Sequence, residues 1–295
     1  MMRTWIFGVS VVFILTLSAC ATSRTYVNER YDDWEAQSPP PASERAYRVF
    51  LIGDAGGASF DPLEPALGLL KSHLDQAGER AAVVFLGDNL YCCGLSDSGT
   101  VRREIDEQRL RAQLEAVKDF EGRIVFLPGN HDWNNDLPGG LEALARQERF
   151  VEDFLGRGNV FLPDDGFPGP VEVELTDRLT LIVLDTAWWI YEQDKSFGDT
   201  GEYDLEEDAD FLLELDDLVK GNDDKDLLVV GHHPLFSNGP HAGILPLSAH
   251  LFPLRKVHPA LVIPLPLIGS IYPLFARFNG GRQNLSHPRY RSLRV

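Results

Sequence analysis

The chain has 295 residues, of which 44% are hydrophobic and 24% charged. That length suffices for one large domain or two small ones with a buried core, and the balance excludes wholesale disorder, a polytopic membrane protein and a collagen-like chain. Against 27 Lys and Arg stand 45 Asp and Glu, a formal net charge of −18, which argues against a nucleic-acid-binding surface spread over the whole protein.

Residues 1–19 read as a signal peptide. Met1-Met2-Arg3 is a basic start, the apolar run from Trp5 to Leu17 is too short for a comfortable membrane span, and Leu17-Ser18-Ala19-Cys20 closes it. This ending resembles the bacterial lipobox, which implies that Cys20 is lipidated and heads a mature chain anchored in the cell envelope. Ala21 at the next position implies the outer membrane where the host has one. The competing readings are a plain secretory signal and a short anchor. Residues 20–45 are polar, contain Pro39-Pro40-Pro41 and form a tether from the lipid to the domain at 46–295.

From Ala46 onward, short β-rich runs at 47–53, 82–87, 124–129, 179–185 and 227–231 end in glycine or asparagine turns or at Asp185. Helical spacing of apolar residues separates several of them, over 61–76, 101–120, 139–156 and 205–221, as in Leu141, Leu144, Phe150, Val151 and Phe154. Strands alternating with helices predict an α/β fold with mostly buried sheets. Two adjacent β runs within 171–185, turning at Asp177, predict a hairpin and a mixed sheet. The stretch 202–226 holds 12 acids and 2 lysines but lacks EF-hand spacing, and reads as a solvated helix face.

All 45 acids lie at or before Asp226 with 20 of the bases, a net −25, whereas residues 227–295 carry 7 bases and no acid. An acid-free tail suits anionic lipid headgroups or a phosphate-bearing substrate, unless its arginines answer the acidic body. Within it, residues 261–275 (LVIPLPLIGSIYPLF) are strongly apolar, but Pro264, Pro266 and Pro273 argue against a membrane-spanning helix. A packed irregular loop is the default expectation, and a hairpin dipping into the membrane interface is the other.

Four of the β-rich runs end in a glycine followed by a potential metal ligand: Gly53-Asp54-Ala55-Gly56, Gly87-Asp88-Asn89-Leu90-Tyr91, Gly129-Asn130-His131-Asp132 and Gly231-His232-His233-Pro234. One Gly-Asp at a strand end is an ordinary turn. Four in succession place ligands at the carboxyl ends of strands, where open α/β sheets gather them. Asp, Asn, His and Tyr without a thiolate suit hard or borderline cations such as iron(III), manganese, magnesium or zinc. About five such donors plus water fit two ions bridged by a carboxylate, a pair able to hold a phosphate ester and acidify a bridging water for in-line attack.

GDAG, GDNLY, GNHD and GHHP, in that order and at those intervals, resemble the calcineurin-like metallophosphoesterases from about residue 48 to at least 241, and Tyr91, three places after Asp88, resembles the purple acid phosphatase branch. The resemblance implies a four-layer α/β/β/α sandwich of two mixed sheets with a dinuclear centre at the sheet edges. It also implies phosphomonoester hydrolysis by a hydroxide bridging the metals. By the same resemblance Asp54 binds the first ion, Asp88 bridges both, and Tyr91 binds the first ion as phenolate. A phenol of pKa ~10 ionises near neutral pH only beside a strong Lewis acid, so Tyr91 as a ligand implies iron(III), with a divalent Fe, Zn or Mn in the second position. Asn130 offers its amide oxygen and His232 its imidazole to the second ion. His131 stands outside the ligand set, where it stabilises the transition state or protonates the leaving alkoxide. His241, nine residues after His232, matches the family's substrate-binding histidine.

The sequence departs from that pattern in lacking the closing Gly-His-x-His motif, so each ion is short of one protein ligand. Two explanations stand. The chain is incomplete, since Ser286-His287-Pro288 has the form of a helix start close to the last residue, Val295, and both sheets would be short of strands. Alternatively, the protein has lost its metals and serves as a non-catalytic surface lipoprotein. A phosphodiesterase or nucleotidase is the other enzymatic reading. The partners expected are a phosphate ester substrate and, through Cys20, the membrane, with no nucleic acid.

Three cysteines make no disulfide framework, and Cys92-Cys93 read as a vicinal disulfide or small apolar filler rather than ligands. His233 reads as packing behind the site and Asp132 as a turn cap. Trp188 and Trp189 suit either the core or a cleft wall. His73, His250, His258 and His287 have no motif around them and belong to the surface or loops.

Overall fold

The computed structural model describes residues 46–195, 208–235, 237, 245–279, 285, 290 and 292–294. The expected leader 1–19, Cys20, the tether 20–45, His241 and the 286–288 turn lie outside the described residues.

Strands and helices alternate as β1 (Arg48–Ile52), α1 (Pro65–Leu74), β2 (Ala81–Leu86), α2 (Val101–Val117), β3 (Arg123–Leu127) and α3 (Gly140–Leu155). The hairpin β4 (Val171–Thr176) and β5 (Leu179–Val183) follows, then α4 (Asp208–Gly221), β6 (Asp226–Val230), α5 (Leu247–Leu251) and α6 (Ile271–Asn279). Local chemistry sets several boundaries. Pro65 opens α1, where its missing N–H costs nothing. Thr100 Oγ1 accepts from Arg103 N at 3.2 Å to cap α2, and Gly156, at φ 62°, closes α3 in the left-handed conformation.

β1, β2 and β3 pair in parallel in that order, while β5 pairs antiparallel with β4 and parallel with β6. Mixed pairing is thus confined, among the described residues, to the second of the two sheets. The reason lies in the connections: β1, β2 and β3 are joined by crossover helices, and β4 and β5 by a tight turn at Asp177-Arg178.

Side chains of the central strands alternate between two apolar layers. Val83, Phe85, Ile124 and Phe126 share a cluster with Leu67 and Leu70 of α1 and Leu110 and Leu114 of α2. Val84, Val125 and Leu127 instead meet Val173, Leu181, Val183 and Val230 of the second sheet. The sheets therefore pack face to face with helices outside, the expected α/β/β/α sandwich, and burial of both faces explains the unbroken apolar run AAVVFL of β2. Trp188 and Trp189 belong to this core, and the Trp189 ring meets Phe211 of α4 with centroids 4.8 Å apart.

The chain divides into two compact units: 46–245 with 271–295, which holds the sandwich, and a unit whose described part is 246–270. The packed loop expected for 261–275 is not what forms. Leu261, Val262, Ile263, Leu267 and Ile268 are exposed, and from Ile271 the chain is helical. Pro273 sits in the first turn of α6, where no backbone donor is needed, so it starts the helix rather than breaking it. No helix among the described residues is long and apolar enough to cross a membrane.

Phe126 is fully buried and stacks on Phe85, with ring centroids 4.1 Å apart and planes 3° from parallel. Phe126→Ala is expected to lower the unfolding free energy by about 3–5 kcal/mol. Guanidinium chloride titration should show an earlier midpoint with an unchanged slope.

Candidate metal centre

All four glycine-led turns follow strand ends, those of β1, β2 and β3 in the first sheet and of β6 in the second. Parallel pairing within the first sheet brings its three turns to one edge. Asp54 and Asp88 hold φ of 59° and 52°, a left-handed conformation that Asp tolerates better than most residues. The first two turns are laced together: Asp54 N donates to Gly87 O at 3.1 Å, Gly56 N to Asp88 O at 2.8 Å and Tyr91 N to Gly56 O at 3.1 Å. Gly87 must be glycine, because at φ 87° a Cβ there would stand 2.7 Å from Gly129 N and 2.8 Å from His232 Nδ1.

The side chains converge on one another. Tyr91 Oη donates to Asp54 Oδ1 at 2.8 Å. Asp88 Oδ1 accepts from His131 N at 3.0 Å and lies 3.4 Å from His232 Nε2, which in turn is 3.2 Å from Asn130 Oδ1. His232 Nδ1 is 2.8 Å from the Leu86 carbonyl, an acceptor, so Nδ1 carries a proton and donates. The Nε2 of that tautomer is itself an acceptor facing two acceptor oxygens. A cation, or a second proton on the ring, satisfies all three. His131 is fixed likewise, Nδ1 lying 2.7 Å from the Cys92 carbonyl, with its ring edge-on to Tyr91 and its Nε2 3.9 Å from Asp88 Oδ2.

Among the described residues no three His, Cys, Asp or Glu side chains form a group able to hold a metal ion. Asp54, Asp88 and His232 make a donor set only together with the Tyr91 phenol and the Asn130 amide. That set is oxygen and nitrogen throughout, since Cys92 and Cys93 are joined as a disulfide, and it fits a hard or borderline cation. Burial, and then the hydrogen bond to Asp54 and the charges of Asp88 and Asp54, push the Tyr91 phenol above its ordinary pKa. Only a strongly charged cation in contact would draw off that proton.

Asp132 does far more than cap a turn. Its fully buried carboxylate accepts from Gly129 N at 2.8 Å, Asn89 N at 3.1 Å, Leu90 N at 3.1 Å and Gln147 Nε2 of α3 at 2.9 Å. Burial, and then the nearby Asp88 charge, push it up to about 6 against the pull of those donors. Its place three residues after Gly129 hinted at the bond to that N–H; nothing local to it in the sequence pointed to Asn89, Leu90 or Gln147.

α2 grips the same loop from the other side, unannounced by any motif. Arg102 Nη2 donates to Tyr91 O at 3.0 Å, Arg109 Nη1 donates to the same carbonyl, and Gln113 Nε2 donates to Asn89 O at 2.8 Å. His233 packs behind the site, its N–H donating to Thr186 Oγ1 at 2.9 Å and its carbonyl accepting from Tyr290 Oη at 3.0 Å. Asp185, wholly buried, accepts from Trp133 Nε1 at 2.7 Å and from the N–H groups of Ala187 at 2.9 Å and Trp188 at 3.0 Å, tying the turn after β3 to the one after β5.

Asp132→Ala strands several buried donors and is expected to cost about 2–4 kcal/mol of unfolding free energy, with Asp132→Asn, which keeps one acceptor oxygen, costing less; denaturant titration checks both. Burial also pushes Asp185 up to about 7. Its folded value thus exceeds the ~3.9 of an unfolded chain, so the native state binds the extra proton and its stabilisation is lost as pH rises between those two values. Thermal midpoints should fall from about pH 4 to about pH 7, and less steeply in Asp185→Asn.

A family model for the calcineurin-like phosphoesterases matches residues 47–259. No curated protein and no solved structure matches the chain. The matched stretch runs from β1 past the turn after β6, covers well over half of the sequence and includes all four glycine-led turns, so the chain belongs to the calcineurin-like phosphoesterase family.

Proposed function

We propose that this protein is a phosphomonoesterase of the purple acid phosphatase type, anchored in the cell envelope by a lipid on Cys20, in the outer membrane where the host has one. Its family catalyses metal-dependent phosphoester hydrolysis, typically with two ions. The narrower reading rests on one observation, the Tyr91 phenol held 2.8 Å from Asp54 Oδ1 beside the Asp88 carboxylate. Asp54 and Tyr91 would hold iron(III), Asn130 and His232 a divalent Fe, Zn or Mn, and Asp88 both. When bound there, two cations would neutralise charge on the phosphoryl oxygens and lower the pKa of a water as nucleophile.

The chain's own groups do the rest. His131 is kept in one tautomer by the Cys92 carbonyl, which leaves its Nε2 to give up a proton, when charged, to the leaving alkoxide. His241 is assigned to the substrate phosphate from the motif alone. The Asp132 carboxylate keeps the two central turns in register, so that Asp88 and Asn130 stay at their positions while charge moves.

The test is metal analysis with a visible spectrum on protein loaded with iron and zinc. The expected result is about two ions per chain and a tyrosinate-to-iron band. Asp88→Asn should lose both the metal and the activity, because a neutral amide bridges two cations poorly, and Tyr91→Phe should lose the colour. Comparing monoester with diester substrates then separates a phosphatase from a phosphodiesterase. Protein expressed to the natural end of its gene that still retains no metal after loading would move the assignment to a non-catalytic surface lipoprotein.

A further inference from the structure

We infer that residues 246–270 dock on the surface of an anionic lipid bilayer, with aliphatic side chains between Val257 and Ile268 entering the interface and Arg255 and Lys256 meeting headgroup phosphates. This stands apart from the hydrolase reading and from lipidation of Cys20. It starts from exposure: Val257 is 78% exposed, Val262 56%, Leu267 85% and Ile268 62%. So many exposed aliphatic side chains in one short stretch mark an interaction surface. The first turn of α6, next along the chain, also exposes Ile271, Tyr272, Leu274 and Phe275.

The segment is built rather than loose. Leu265 N donates to Leu251 O at 2.8 Å, Gly269 N to Leu265 O at 2.8 Å and Ser270 N to Leu267 O at 3.0 Å. Leu267 sits in that turn at φ 74°, a conformation L side chains rarely adopt, so backbone hydrogen bonding, not burial of its side chain, keeps it at the surface.

Charge chooses the partner. A cavity of about 370 Å³ is lined by Ser248, Ala249, Phe252, Arg255, Lys256 and Pro259, which combine two cations and a hydroxyl with apolar walls. That chemistry matches a phosphate headgroup at the start of its acyl chains. From Leu227 to Val295 there is no acid, in a chain that carries 45 of them elsewhere. An anionic bilayer repels the acidic body and attracts this segment. Basic residues beside exposed aliphatic ones are the pairing that holds a protein at a membrane surface without spanning it.

The test is hydrogen exchange, read peptide by peptide, on the full chain with vesicles of phosphatidylcholine alone or mixed with phosphatidylglycerol. Exchange over 257–270 should slow about tenfold with the mixed vesicles and stay unchanged with the neutral ones. Attachment by the N-terminal segment alone protects only the peptides at that end, so it is distinguishable and counts against the inference. Arg255→Glu with Lys256→Glu should remove the protection, since each cation near an anionic surface contributes about fivefold to partitioning. Both residues are exposed, and an unchanged thermal midpoint confirms that the variant folds. Equal exchange with and without anionic vesicles overturns the inference, as does equal slowing on neutral ones. Slowing that tracks protein concentration without lipid assigns the face to a second copy of the chain instead.

Discussion

The buried carboxylate of Asp132 is the constraint on which the site depends. It is the common acceptor for N–H groups of two turns and of α3, so the loop after β2 and the loop after β3 cannot shift independently. A carboxylate is suited to this because its two oxygens carry about four lone pairs and can accept from several donors at once. Burial beside Asp88 raises the energy of its charged form, and the ring of donors offsets that in part. A cation between Asp88 and its neighbours would relieve the same repulsion, which couples the support beneath the site to its occupancy.

Outward from Asp132, each grip comes from an element with its own packing reason to be there. α2 packs on the first sheet through Leu110 and Leu114, and from that position Arg102, Arg109 and Gln113 reach the backbone of the Tyr91 loop. Asp185 and Trp133 link the two sheets' turns behind the site, within the same apolar cluster that buries Trp188 and Trp189. The glycines complete the arrangement by absence: a Cβ on Gly129 would fall on Asp88 Oδ1, and one on Gly56 would stand 2.7 Å from Leu90 N. The candidate ligands on these short turns thus inherit the rigidity of a sandwich buried on both faces.

The charge asymmetry of the chain has a structural counterpart. Acids crowd the earlier part, including the candidate site and its support, while the acid-free part contains a unit with exposed aliphatic side chains as well as Arg255 and Lys256. The candidate site gathers acceptor oxygens, and the 246–270 unit gathers cations and apolar surface.

Sequence alone determined the strands, because runs such as AAVVFL have no polar side to present, and it determined the order of the ligand turns, because Gly-Asp, Gly-Asn and Gly-His each sit directly after an apolar run. The hairpin at Asp177 was legible for the same local reason. What the tertiary structure decided is whatever depends on partners distant in the chain. Asp132 gathers donors from residues 89, 90, 129 and 147, and no window of sequence contains them all. Trp188 and Trp189 could equally have lined a cleft, but both are buried in the core, where Phe211 meets the Trp189 ring. The 261–275 stretch reads by default as a packed loop because hydrophobicity records what a segment can bury, and whether it is buried depends on a second apolar surface that only the fold can provide.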